Sequence, residues 1–160
     1  MKGDQKVIEL LNEALKNELT ATNQYWLHYR MLDNWGVHKL AEFERHESID
    51  EMKHADRLAE RILFLEGLPN FQKLSPLRIG QTVKEQFQCD MKIEEEAISR
   101  LREGVEYMRS VGDITSAIIF EEILKDEEHH IDYLETQLDL IETLGEQLYL
   151  QNVTEHPEAS

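Results

Sequence analysis

Three features of the chain predict an all-α fold: an up-down-down-up four-helix bundle with one long crossover and a short fifth helix at the C-terminus. First, four stretches carry apolar residues at the three-to-four spacing of a buried helical stripe. Second, two of the joints between them are short and hold Gly36 and Gly112, whereas the middle joint gathers Gly67, Pro69, Asn70, Ser75, Pro76 and Gly80. A short joint makes antiparallel neighbours; a long one can run the length of a bundle and start the next helix at its far end. Third, a carboxylate interrupts each stripe near its midpoint, as a site shared halfway along a bundle requires.

Composition narrows the function. The 160 residues fit a single domain spanning 1–160, and 41% hydrophobic content with two Trp, five Tyr and five Phe supports a packed core. A formal charge of −16 disfavours nucleic acid and anionic membrane as partners, because phosphate recognition needs clustered Lys and Arg. The single cysteine, Cys89, cannot close an internal disulfide, which suits a reducing compartment. With no signal-peptide pattern and no run of 18 apolar residues, a cytoplasmic location is expected.

The first helix is expected over 5–34, with Val7, Leu11, Ala14, Leu15, Glu18, Thr22, Tyr25, Tyr29 and Leu32 on its buried stripe. Glu18 lies mid-stripe, where a carboxylate is costly unless paired or bound to a cation. Asn34-Trp35-Gly36 forms the turn, with Gly36 free to take a left-handed cap. The second helix, about 37–65, buries Leu40, Phe43, Glu47, Glu51, His54, Ala55, Leu58, Ile62 and Leu65, polar in the middle and apolar at both ends. The crossover fills about 66–81. The third helix, about 82–110, centres on Glu94; the fourth, about 114–142, centres on Glu127 and His130. Beyond Gly145, residues 146–152 make two turns of a fifth helix. With no core of its own to pack on, that helix is expected to meet a neighbouring subunit. The residues from about 154 to 160 read as a flexible tail.

The chemistry lies in a repeat. Glu51-Met52-Lys53-His54 and Glu127-Glu128-His129-His130 each place a Glu and a His three residues apart, on one helix face. Glu18 precedes Glu51 by 33 residues, Glu94 precedes Glu127 by the same 33, and the two sets are offset by 76. One Glu-x-x-His is weak evidence in a chain this rich in Glu; two copies with matched upstream Glu residues imply two helical hairpins about a pseudo-twofold axis. One Glu from each of two helices plus a Glu-x-x-His from each of the others is the ligand set of di-iron and di-manganese bundles. Four buried carboxylates repel one another, and two divalent cations balance them. Carboxylates with one imidazole per metal suit iron or manganese. The pseudo-symmetry pairs Glu18 with His54 and Glu94 with His130, and places Glu51 and Glu127 as bridges. Tyr25, two turns from Glu18, is either core or an electron or hydrogen-bond donor.

With these residues in place, the chain resembles bacterioferritin, the haem-containing branch of the ferritins. The resemblance runs through Met1-Lys2-Gly3-Asp4, the segment His46-Glu47-Ser48-Ile49-Asp50-Glu51-Met52-Lys53-His54-Ala55-Asp56, the segment Arg61-Ile62-Leu63-Phe64-Leu65-Glu66-Gly67-Leu68-Pro69, and Glu128-His129-His130-Ile131-Asp132-Tyr133-Leu134-Glu135-Thr136-Gln137. It implies iron storage in a hollow homo-oligomeric cage of twenty-four chains, alone or mixed with a second ferritin subunit. It implies ferroxidase activity, with Glu18, Glu51, His54, Glu94, Glu127 and His130 as catalytic iron ligands and O2 or peroxide as oxidant. It further implies haem b shared between two chains through Met52 of each, an inner-surface iron position at His46 and Asp50, and a ferredoxin-type reductant for iron release. Met52 is rotated about 100° from Glu51 and so points out of the bundle, with the small residues Ser48, Ala55 and Ala59 nearby. Leu58 and Tyr133 stand where well-known members of the family have a Tyr and a Trp, so no electron-donor role carries over to those two positions.

Overall fold

The computed structural model describes residues 1–154. Four long helices and one short one make up the regular structure: α1 (Gln5–Asn34), α2 (His38–Phe64), α3 (Val83–Ser110), α4 (Ile114–Leu144) and α5 (Glu146–Val153). Each long helix but α2 starts on a side-chain cap. Asp4 accepts from the Val7 N–H, Thr82 from Glu85 and Asp113 from Ser116, so an otherwise orphaned first-turn donor is satisfied at each start. The turn after α1 uses Gly36 at φ +84°, and the Val37 N–H donates back to the Leu32 carbonyl at 2.9 Å.

The crossover fixes the topology. It climbs along α1 through a ladder of contacts from its backbone: the Asn70 N–H donates to Asn12, that of Ser75 to Thr20, that of Arg78 to Gln24 and that of Gly80 to His28. Residues 12 to 28 of a helix span about 24 Å, so the strap carries the chain back up the bundle. α3 therefore starts beside the C-terminal half of α1 and runs antiparallel to it, with Asp90 next to Gln24 and His28, and Tyr107 next to Asp4. The order is up-down-down-up.

Two apolar clusters fill the ends of the bundle. One joins Val7, Leu11, Leu15, Leu58, Ile62, Leu101 and Phe120; the other joins Leu32, Leu40, Val83, Phe87, Leu134 and Ile141. Between them lies a polar layer holding the buried carboxylates and imidazoles. The expectation that α5 lacks a core within its own chain is corrected here. Tyr149 and Val153 are buried in the second cluster, Tyr149 packs edge-on against Phe87, and its hydroxyl donates to Gln137 at 2.7 Å. Alternation in a helix this short gave no sign that Gly145, at φ +81°, folds it back onto the end of the bundle. Of the tail expected at about 154–160, residues 155–160 lie outside the described residues. Among the described residues no helix is long and apolar enough to cross a membrane.

Candidate metal centre

Every stripe delivers its midpoint carboxylate to the same layer. α1 supplies Glu18, α2 Glu51 and His54, α3 Glu94, and α4 Glu127 and His130; all six are buried. Glu18, Glu51, His54 and Glu127 offer ligand atoms within 4.8 Å of one another. The His54 Nδ1 faces Glu127 at 3.3 Å, Glu18 at 3.6 Å and Glu51 at 3.9 Å. Glu51 also belongs to a second group, with Glu47 and His130, so it stands between the two halves. His130 Nδ1 lies 3.3 Å from Glu94 and 3.3 Å from Glu47.

These approaches are close but lack hydrogen-bond geometry. Glu18, Glu51 and Glu94 each keep a buried carboxylate oxygen without a partner, His54 Nδ1 is unpartnered, and both ring nitrogens of His130 are unpartnered. Buried polar groups are nearly always satisfied, and each orphan costs about 1–3 kcal/mol, more when charged. So many orphans aimed into one layer fit a ligand that accepts lone pairs, which is what a pair of divalent cations does.

The electrostatics agree. Burial, and then the charge of Glu127, pushes the Glu18 carboxyl up to about 8. Burial alone would lower the His54 imidazolium, but the close carboxylates of Glu127 and Glu18 outweigh it and carry His54 up to about 11. Both shifts favour the protonated forms, so a divalent ion bound there must displace protons from Glu18 and His54. Binding is expected to release protons near neutral pH and to weaken steadily as pH falls. Titration of unbuffered metal-free protein with Zn(II) in a pH-stat checks this; uptake without proton release would contradict it.

Several further residues act around the site. Tyr25 is fully buried, donates its hydroxyl to Glu94 and packs edge-on to His130 with ring centroids 5.3 Å apart. Phe43 stacks on Tyr133 at 3.7 Å and tilts against His130. Asp126 accepts from His54 Nε2 at 2.8 Å. Its signal was its place one residue before Glu127, shared by Asp50 before Glu51. On the α1–α3 side a cavity of about 170 Å³ reaches Glu18 between Leu10, Ala14, Leu101 and Phe120.

Not every expected residue joins the centre. His46 and Asp50 are both exposed, and neither belongs to a group of metal-ligand atoms among the described residues. Met52 is 46% exposed on the outward flank of α2. Its expected small neighbours are only partly there. Ser48 is buried and donates to the Thr22 carbonyl, Ala55 sits in the core, and Ala59 alone stays partly exposed.

A second buried polar group lies one turn toward the start of α3: His28, Glu44 and Asp90, also within 4.8 Å of one another. Here the His28 Nε2 accepts from the Gly80 N–H, so Nδ1 carries the proton and donates it to Asp90 at 2.9 Å. With both ring nitrogens used, His28 is a hydrogen-bonding group and not a ligand.

Known proteins share this sequence and fold. A family model described as a ferritin-like domain matches residues 8–144. The chain is 62% identical to a bacterioferritin of Streptomyces coelicolor over 155 residues, covering 97% of this chain and 93% of that one. It is 53% identical over 157 residues to a bacterioferritin of Mycobacterium bovis, covering 98% and 99%. It is 56% identical over 151 residues to one of Brucella melitensis, covering 94% of each.

Proposed function

This chain belongs to the bacterioferritin family of ferritin-like proteins, and from that premise we propose that it is a cytoplasmic iron-storage protein with ferroxidase activity. Fe(II) is its substrate, taken up by Glu18, Glu51, His54, Glu94, Glu127 and His130 and oxidised by O2 or peroxide. With O2 the balance is 4 Fe(II) + O2 + 4 H+ → 4 Fe(III) + 2 H2O, and the ferric product is stored as mineral in a cage of twenty-four chains, alone or mixed with a second ferritin subunit. One observation carries the reading: five of the six residues leave buried ligand atoms unpartnered in a single layer.

The chain's own residues hold and adjust that layer. Glu51 and Glu127 would serve both metal positions, a reading supported for Glu51 by its membership of both groups of ligand atoms. Tyr25 holds Glu94, and the charge of −16 favours cation entry. The exposed Met52 would hold a haem b through its thioether at a contact between two chains, and the haem would supply electron transfer. His46 and Asp50 are the proposed inner-surface iron position, and a ferredoxin-type reductant would release stored iron.

Stopped-flow absorbance on adding Fe(II) to the metal-free protein under air, with size exclusion on the same sample, tests this. A fast phase saturating at about two Fe(II) per chain, from a particle of cage size that then retains iron, is expected. Oxidation no faster than buffer, with no iron retained, would sink the reading.

A further inference from the structure

The two halves of the centre are related by sequence but not by their surroundings. Asp50 and Asp126 occupy the same place in the repeat, each one residue before the Glu of its Glu-x-x-His and 76 residues apart. Asp126, on α4, reaches across to α2 and accepts from the Nε2 of His54 at 2.8 Å. The mirror contact, Asp50 to His130, is not made. Asp50 is exposed, and the Nε2 of His130 has no partner. On the same side Glu94 already accepts from Tyr25.

These differences act in one direction. A carboxylate on the far nitrogen of an imidazole fixes its tautomer, locks its ring and makes the near nitrogen a better donor to a cation. With its Nε2–H held by Asp126, His54 keeps Nδ1 aimed at Glu18, Glu51 and Glu127. His130 has no such anchor, and one of the two oxygens of the neighbouring Glu94 is already taken by Tyr25. We infer that Asp126 is a positioning residue that makes the two metal positions unequal: the first divalent ion binds beside His54, and the second, beside His130, binds more weakly. The inference rests on the six-residue centre proposed above and goes beyond it in ranking the two positions. Asp126 suits testing because its side chain is 65% exposed, so its removal leaves the core intact.

The test is an anaerobic titration of the assembled, metal-free protein with Co(II), followed by visible absorption. Two Co(II) per chain are expected in two phases, with affinities about 10–100-fold apart. Asp126→Ala should weaken the first phase by about that factor and leave the second in place. Asp126→Asn, whose amide oxygen still accepts from Nε2–H, should fall between. Glu122→Gln, which removes an exposed charge one turn away on the same helix, should change neither phase. Two ions of equal affinity in the native protein would overturn the inference alone, and so would equal weakening of both phases by Asp126→Ala. Failure to bind any Co(II) would instead overturn the six-residue centre and this ranking with it.

Discussion

Glu51→Gln is expected to abolish the fast Fe(II) phase, by more than about 100-fold, while leaving the metal-free protein at least as stable as the native one. Glu51 is the one residue common to both ligand groups, so its loss disables both positions. A ligand's loss should exceed the 10–100-fold that loss of an outer partner causes. The stability half of the expectation follows from the same geometry. In the metal-free protein Glu51 is 2% exposed with an unpartnered oxygen, among three other buried carboxylates. A neutral amide of the same shape removes a repelling charge and creates no cavity, so a gain of about 1 kcal/mol is expected. Divalent ions should reverse the order. At a hundred times its Kd an ion adds about 2.7 kcal/mol to the native state, raising the native melting temperature by roughly 5–10 °C and that of Glu51→Gln hardly at all. Calorimetry with and without Co(II) reads both. A variant less stable than native under both conditions would mean that the layer is a polar core and not a site.

That reversal also shows which parts of the molecule the sequence could reveal. Helix positions were legible because long apolar stripes, Gly36 and the breaker-rich crossover each constrain the backbone locally. The six central residues were legible because charge in the middle of an apolar stripe is costly, and because the same cost recurs after 76 residues. What the stripe could not convey is which neighbouring helix a side chain reaches. Glu47 and Phe43 were read as core, yet both touch His130. Spacing sets Ser48 on the flank of Met52, yet it faces inward and donates to the Thr22 carbonyl. The fold-back of α5 depends on one backbone torsion at Gly145, which periodicity does not encode. The unequal partners of His54 and His130 break a symmetry that the spacing alone would have enforced.

The sharpest stability effect is expected away from the iron ligands, at Asp90. This carboxylate is fully buried and ties three helices and the strap together: Gln24 and His28 of α1 donate to Oδ1, Glu44 of α2 adjoins it, and the same Gln24 and His28 accept from the backbone of Arg78 and Gly80. A side chain at position 80 would run into the backbone of Glu85 and Gln86, so the strap has no second seat. Neither Glu44 oxygen has a hydrogen-bond partner, and Asp90 Oδ2 has none, so the two carboxyl groups meet by proximity alone. Burial first, then the charge of Asp90, raises the Glu44 carboxyl well above the usual range. Burial would raise Asp90 too, but the adjoining Glu44 acid and the hydrogen bonds from His28 and Gln24 outweigh it and hold Asp90 low. The pair thus shares one proton, carried by Glu44. Asp90→Ala leaves two donors and an acid unpaired in the interior and is expected to lose about 3–5 kcal/mol. Glu44→Gln keeps a donor facing Asp90 and should lie within about 1 kcal/mol of native at low pH. The sign of the pH dependence follows. Because Glu44 is raised in the folded state, its contribution is complete below its unfolded value of about 4.5 and declines as pH rises toward its folded value, by about 1.4 kcal/mol per unit. Glutamine does not titrate, so Glu44→Gln should gain on the native protein between pH 5 and pH 8 in parallel thermal melts. A gap independent of pH would mean that Glu44 is ionised in the fold. A metal ion held by Glu44 and Asp90 would make Glu44→Gln, rather than high pH, the damaging change.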